Sequence, residues 1–174
     1  EYMDDDQKFT SRRTDVLVYK TPVLTEDLTL GGPVVADLMV AMSGTDADFV
    51  VKLIDVYPDN FEYENNDKDY LMSGYQQLVR GEIMRGKYRN SFEKPEAFEP
   101  KKPTAVKFTL PDIAHTFKKG HRMMIQIQSS WFPLADRNPQ QFMNIYEAKD
   151  SDFKKATIRI YHDASVIQLP VLKN

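Results

Sequence analysis

Apolar and polar residues alternate with a period of two along most of this chain. Val34, Ala36, Leu38, Val40 and Met42 share one side of such a run. Val106, Phe108 and Leu110 alternate with Ala105, Lys107 and Thr109, and Met123, Ile125 and Ile127 alternate with Gln126 and Gln128. Further on, Ile158 and Ile160 alternate with Thr157, Arg159 and Tyr161, and Ile167, Leu169 and Val171 with Val166, Gln168 and Pro170. Successive side chains of a strand point to opposite faces. Each run therefore predicts a strand with one face on a core and the other toward solvent.

Two segments depart from this rule. In Phe49 to Tyr57 the row Phe49, Val51, Leu53 is apolar, and so is the opposite row of Val50, Ile54 and Val56. Val16-Leu17-Val18-Tyr19 has the same habit. A strand apolar on both faces is central or lies under another element. Turn residues punctuate the chain at Gly31-Gly32-Pro33, Ser43-Gly44-Thr45-Asp46, Pro58-Asp59-Asn60 and Lys119-Gly120. The pattern predicts roughly eight strands of ordinary length, with short helical turns at most, at Pro139 to Tyr146. Many short strands between regular turn signals mean an all-β sandwich or jelly roll. Its core should hold Leu38, Val40, Val51, Leu53, Phe108, Ile125, Ile127, Ile158 and Ile160. Two long irregular stretches interrupt the strands. Pro58 to Tyr70 is acidic and aromatic, and Ser91 to Pro103, with Pro95, Pro100 and Pro103, reads as an extended crossover. Loops of this length are commonly functional or packed on a neighbour.

Composition narrows the function classes. The 174 residues suit a single domain, 1–174. The net charge of −3, from 23 basic and 26 acidic residues, lacks the basic excess of a nucleic-acid binder. There is no cysteine, which removes disulfides, cysteine zinc sites and thiol catalysis. The most apolar stretch, Gly32 to Met42, is too short for a membrane span and carries Asp37. The opening Glu1-Tyr2-Met3 reads as the start of an excised piece. Any targeting segment then lies outside it, and a periplasmic or secreted location is the expectation.

Candidate chemistry is sparse. No Gly-x-Ser-x-Gly elbow is present. His115 and His121 with Asp112 match no zinc spacing and lack a third nitrogen or sulfur ligand, so structural roles at a strand end and a hairpin turn are expected. No metal site and no cofactor is expected. Asp46 and Asp48 resemble half of a calcium loop, with Asp59, Glu62, Glu64, Asp67 and Asp69 as further oxygens; the alternative is a turn braced by aspartates. Arg80, Arg85 and Arg89 suit either an anionic substrate or charge pairs within the domain or with a neighbour. Trp131 and Phe132, before Pro133, are either a plug of the sandwich or contact residues.

Three separated motifs carry a family resemblance. They are Gly44-Thr45-Asp46-Ala47-Asp48-Phe49 through Pro58-Asp59, the Arg80 to Phe92 segment, and His121-Arg122 through Pro139. Asp4 to Tyr19 resembles the family's lead-in to the domain. Together they resemble the C-terminal β-domain of the X-Pro dipeptidyl-peptidase, cocaine esterase and α-amino-acid ester hydrolase (glutaryl-7-aminocephalosporanic-acid acylase) family of serine hydrolases. The resemblance implies a galactose-binding-domain-like jelly roll. The Ser-Asp-His triad, on an α/β-hydrolase domain with a helical cap, lies upstream in the family, so no catalytic residue carries over. It implies a non-catalytic role, bracing the hydrolase and cap domains of the same polypeptide and walling the cleft. Trp131, Phe132, Asp136, Arg137, Asn138, Arg85 and Arg89 are the candidates to face that neighbour. No nucleic acid or membrane partner is expected, and a homo-oligomer is compatible. The competing class is a carbohydrate-binding jelly roll, with Trp131 and Tyr63 or Tyr70 stacking on a sugar.

Overall fold

A computed structural model describes residues 4–61 and 71–172. After a single turn of helix, α1 (Lys8–Ser11), the strands are β1 (Leu17–Lys20), β2 (Leu28–Met42), β3 (Asp48–Val56), β4 (Gln76–Arg85), β5 (Thr104–Phe117), β6 (Arg122–Gln128), β7 (Ile158–Ile160) and β8 (Val166–Gln168). The first sheet runs β1-β6-β3-β4 and the second β5-β2-β7, with β8 also on β2. Every pairing is antiparallel. The sheets face each other across one core, where Phe49, Val51, Leu53 and Ile127 meet Leu38, Val40, Val106 and Phe108. This is the all-β sandwich that the alternation predicts. Of the expected core residues, Ile125, Ile158 and Ile160 are only partly buried and pack against the cluster.

The departures from expectation have physical causes. Gly31-Gly32-Pro33 is not a turn: it lies inside β2, where the register with β5 shifts between Gly32 and Val34. Gly32 takes φ +123°, and a proline without an N–H is tolerated at such a bulge. The expected helical turns over Pro139 to Tyr146 reduce to a 3-10 turn at Ile145–Glu147, capped by Asn144. Strand β4 has no clean alternation because Gly81 interrupts it, yet it pairs along β3 from Gln76 to Arg85.

The first sheet is covered on both faces. Val50, Lys52 and Ile54, on the outer row of β3, are all fully buried, as are Met124 and Gln126 of β6. The cover is the N-terminal segment. Lys52 Nζ donates to Gln7 Oε1 at 2.9 Å, and Thr10 Oγ1 donates to Gln126 Oε1 at 2.8 Å. The Gln7 amide also donates to Gln76 O at 3.0 Å. Gln126 and Gln128, read from the sequence as a solvent face, are interior: Gln126 is met by Thr10 and Gln7, and the Gln128 amide donates to the Ser130 carbonyl at 2.8 Å.

One end of the sandwich is tied by Asp55, which is 1% exposed. Its carboxylate accepts from His115 Nε2 on β5 at 2.9 Å and from His121 Nδ1 at 2.8 Å. The two histidines thus share a carboxylate that joins the sheets. Asp112, once considered with them as a ligand, instead offers its backbone carbonyl to Arg80. The proline-bearing crossover carries the chain from β4 in one sheet to β5 in the other, with Phe98 packed against Phe49 at 6.2 Å.

Candidate functional site

Most of the residues singled out from the sequence lie in the segment after β6. Trp131 turns inward and is 3% exposed. Its ring rests on Gly81, where an added Cβ would stand 2.5 Å from the indole. This close approach explains a glycine in the middle of β4. On the same ring lies the ammonium of Lys52, 4.8 Å from the centroid. Burial pushes the Lys52 pKa down to about 8, helped by the nearby Arg13 charge. Trp131 is therefore a plug of this domain. Its ring is not available to a neighbouring domain or to a sugar, because the first sheet uses it as cover. Tyr63 and Tyr70, the other proposed sugar platforms, fall outside the described residues.

Asn138 pins the far end of the loop. It is 6% exposed, and its amide donates to Asp46 Oδ2 at 3.1 Å and Asp48 Oδ1 at 2.9 Å. Its own Oδ1 accepts from Gln140 N at 2.8 Å. Arg85, directly across the ladder from Asp48, adds Nε at 3.1 Å and Nη2 at 3.2 Å. The same guanidinium reaches the Asp136 carbonyl at 2.9 Å. Asp46 Oδ1 accepts from the backbone amides of Ala47 and Lys87, and Lys87 Nζ donates to Met143 O at 2.7 Å. Burial pushes both aspartate pKa values up, opposed by the Asn138 hydrogen bond and, at Asp48, by Arg85. These carboxylates collect N–H donors, so they clamp a loop where the calcium reading placed a cation. Of the remaining oxygens of that reading, Asp59 lies beside Gly74, and Glu62, Glu64, Asp67 and Asp69 lie outside the described residues.

The arginines resolve in the same way. Arg89 donates to the carbonyls of Gly86, Glu96 and Ala97 and lies 4.1 Å from the Phe98 ring centre. Its side chain is only 8% exposed. Arg85 and Arg89, offered as cleft-facing candidates, are thus committed within the domain: one holds the loop and the other the crossover. His162 bonds Tyr19 Oη through Nε2 at 2.8 Å, and both line an apolar cavity of about 360 Å³ together with Leu38, Ile125, Ile160 and Ile167.

What remains outward is the tip. Between the buried Trp131 and the clamped Asn138, Phe132 is 59% and Leu134 56% exposed. Asp136 and Arg137 are exposed beside them, with the Arg137 guanidinium 5.3 Å from the Phe153 ring centre. Sequence reasoning found Asp46, Asp48 and Asn138 but not their union, because 92 residues separate Asn138 from Asp46. It missed Lys52 altogether, since a lysine within a strand reads as a solvent-facing residue.

Comparisons with known proteins agree with this architecture. Residues 3–166 match the X-Pro dipeptidyl-peptidase C-terminal non-catalytic domain. The chain is 33% identical over 171 residues to cocaine esterase of Rhodococcus sp. (strain MB1 Bresler), covering 97% of this chain and 27% of that protein. An aminopeptidase from a marine sediment archaeon, Thaumarchaeota archaeon, superposes with a TM-score of 0.90 at 44% identity, over 98% of this chain and 28% of its own. An α-amino acid ester hydrolase superposes equally, at 0.90 and 45% identity, with the same coverage. A CocE/NonD family hydrolase from Staphylococcus aureus, 15% identical with a TM-score of 0.62, shares the fold. The chain spans less than a third of each of these relatives. A sandwich whose singled-out polar residues clamp loops, matched over nearly its whole length, belongs to the family of X-Pro dipeptidyl-peptidase C-terminal non-catalytic domains.

Proposed function

We propose that this domain braces the catalytic portion of a serine hydrolase acting on esters or amides, and that the Phe132–Leu134 tip presses against that portion and helps wall its cleft. The observation that carries the reading is a rigidly held loop with an apolar summit. Trp131 anchors one end in the first sheet and Asn138 the other in the aspartate clamp, yet Phe132 and Leu134 stay more than half exposed. Apolar side chains held up on a stiff scaffold suit docking, because little conformational entropy is lost when a partner covers them. Asp136 and Arg137 supply a polar rim of the kind that surrounds interface anchors. The reaction class rests on the relatives, which are named as an esterase, an ester hydrolase and an aminopeptidase. This chain supplies support to that chemistry and none of its reacting groups.

The test is a Phe132→Ser, Leu134→Ser double substitution in the complete enzyme. The expected result is a fall in kcat/KM of about tenfold or more with an unchanged melting transition for this domain, the scale of losing an interface anchor. Unaltered kinetics and unaltered cohesion between this domain and the rest of the enzyme would remove the tip from the interface.

A further inference from the structure

Ser129 and Ser130, at the end of β6, open onto a recess of about 300 Å³ whose other walls include Arg137, Phe153, Lys154 and Lys155. No Asp or Glu is among its described lining residues. Three cations from two separate stretches of chain converge there. Among the described residues, Arg137 makes no hydrogen bond or ion pair, and its guanidinium lies against the Phe153 ring. Lys155 likewise has no partner among them, and neither serine hydroxyl makes a hydrogen bond within the described structure. Lys154 Nζ is steadied by the Ser151 carbonyl at 2.7 Å. Of the acids around it, Asp48 is engaged by Arg85 and Asn138, Asp15 by Arg13 and Asp152 by the Lys149 amide, while the exposed Asp136, next to Arg137, is not among the lining residues.

We propose that this recess is a binding site for a small oxyanion, a carboxylate or phosphate group. Like charges gathered where the lining holds no carboxylate raise one another's energy, and an anion placed among them relieves it. Arg137 offers two parallel N–H donors in a planar fork, the geometry that takes two oxygens of one anion. Lys155 supplies a point charge, and the two serine hydroxyls donate to the remaining lone pairs. The floor is stiff because Asn138, at the base of the recess, is held by Asp46 and Asp48. A fixed floor lowers the ordering cost of binding. The site stands independently of the docking role of the Phe132–Leu134 tip.

The experiment titrates this chain with inorganic phosphate, acetate and citrate at constant ionic strength, by calorimetry and by amide chemical shifts. The expected result is saturable one-to-one binding with shifts centred on Ser129, Ser130 and Arg137. Arg137→Gln and Lys155→Gln should each weaken it about tenfold or more, the effect of losing one charge-assisted contact. Arg137→Lys, which keeps the charge and loses the fork, should fall between. Lys94→Gln, on the exposed crossover, should leave affinity unchanged. The phosphate and carboxylate arms decide which oxyanion the recess prefers. If Arg137→Gln or Lys155→Gln fails to fold, the shift map of the unsubstituted chain decides alone. No saturable binding, shifts centred elsewhere, or equal weakening by Lys94→Gln would overturn the site.

Discussion

The central strands of the two sheets, β3 and β2, read alike at first and behave differently. Both put an apolar row on the shared core, Phe49, Val51 and Leu53 from one and Leu38 and Val40 from the other. On β2, Val35, Asp37 and Met39 of the opposite row are only partly buried, and Asp37 pairs there with Lys107 at the surface. On β3 the opposite row of Val50, Lys52 and Ile54 is completely buried. The second sheet has an inside and an outside. The first has two insides, one dry and one polar, the latter sealed by Gln7, Thr10 and Trp131. A sheet face excluded from water without an apolar partner sheet must satisfy each buried polar group locally, and it becomes sensitive to its cover.

That sensitivity gives the largest expected effect. Trp131→Ala should destabilise this domain by about 3–5 kcal/mol, the range for emptying a buried aromatic site. It should do so in the isolated chain, with no partner domain present. The cavity it opens lies over Gly81 and beside Lys52. Thr109→Ala, on the exposed row of β5, should stay within about 0.5 kcal/mol. Chemical denaturation of the two variants checks the contrast. Equal losses would mean that the outer face of the first sheet is no more interior than that of the second.

The same contrast decides what the sequence made legible. Where an outer face meets water, period-two alternation reports the strand directly, as it did for β2, β5, β7 and β8. Where the outer face is covered, the code changes. Gln126 and Gln128 looked solvated because they are polar, and Gln126 finds its partners in Thr10 and Gln7, more than a hundred residues away. Strand β4 lacked a pattern because Gly81 answers to Trp131 rather than to its own neighbours. The singled-out loop was the informative one, and its two aromatics divide between the alternatives left open: Trp131 holds the loop down and Phe132 stands up from it. Local periodicity reports what a strand does with its own two faces. It carries no signal for a partner that arrives from a distant segment.

The polar inside of the first sheet should also be visible in the pH dependence of folding. Lys52 titrates near 10.5 when unfolded and about 8 when folded. Between those values the unfolded chain binds more protons, so this group makes stability rise as pH climbs from about 8 toward 10.5. Below about 8 the lysine is charged in both states and its full burial cost is felt. The cost is on the order of 3 kcal/mol. Lys52→Met removes the titration while keeping the length of the side chain. Its loss of the Gln7 contact shifts the whole curve by a constant and leaves the slope alone. Denaturation curves from pH 7.5 upward should therefore rise for the unsubstituted chain relative to the variant, and parallel curves would show that Lys52 reaches water.

The smallest effect sharpens the comparison most, because each sheet carries an ion pair between directly opposed residues of adjacent strands. Asp48 faces Arg85 on the first sheet, and Asp37 faces Lys107 on the second. Their closest approaches are nearly the same, 3.1 Å and 3.2 Å. Exposure separates them: 19% and 1% for the Arg85 and Asp48 side chains, against 60% and 36% for Lys107 and Asp37. The exposed pair meets screening and the entropy of two mobile side chains, so its coupling in a double-mutant cycle should be about 0.2–1 kcal/mol and fade in high salt. The buried pair should couple by more and resist salt, since Asn138 and the Asp136 carbonyl fix both partners. Truncating Asp48 alone leaves a guanidinium with one carbonyl in place of its carboxylate, whereas truncating Asp37 leaves Lys107 in water. If the two cycles returned equal couplings with equal salt dependence, distance alone would set the strength of these pairs, and the distinction between a sheet with two insides and a sheet with one would carry no energetic weight.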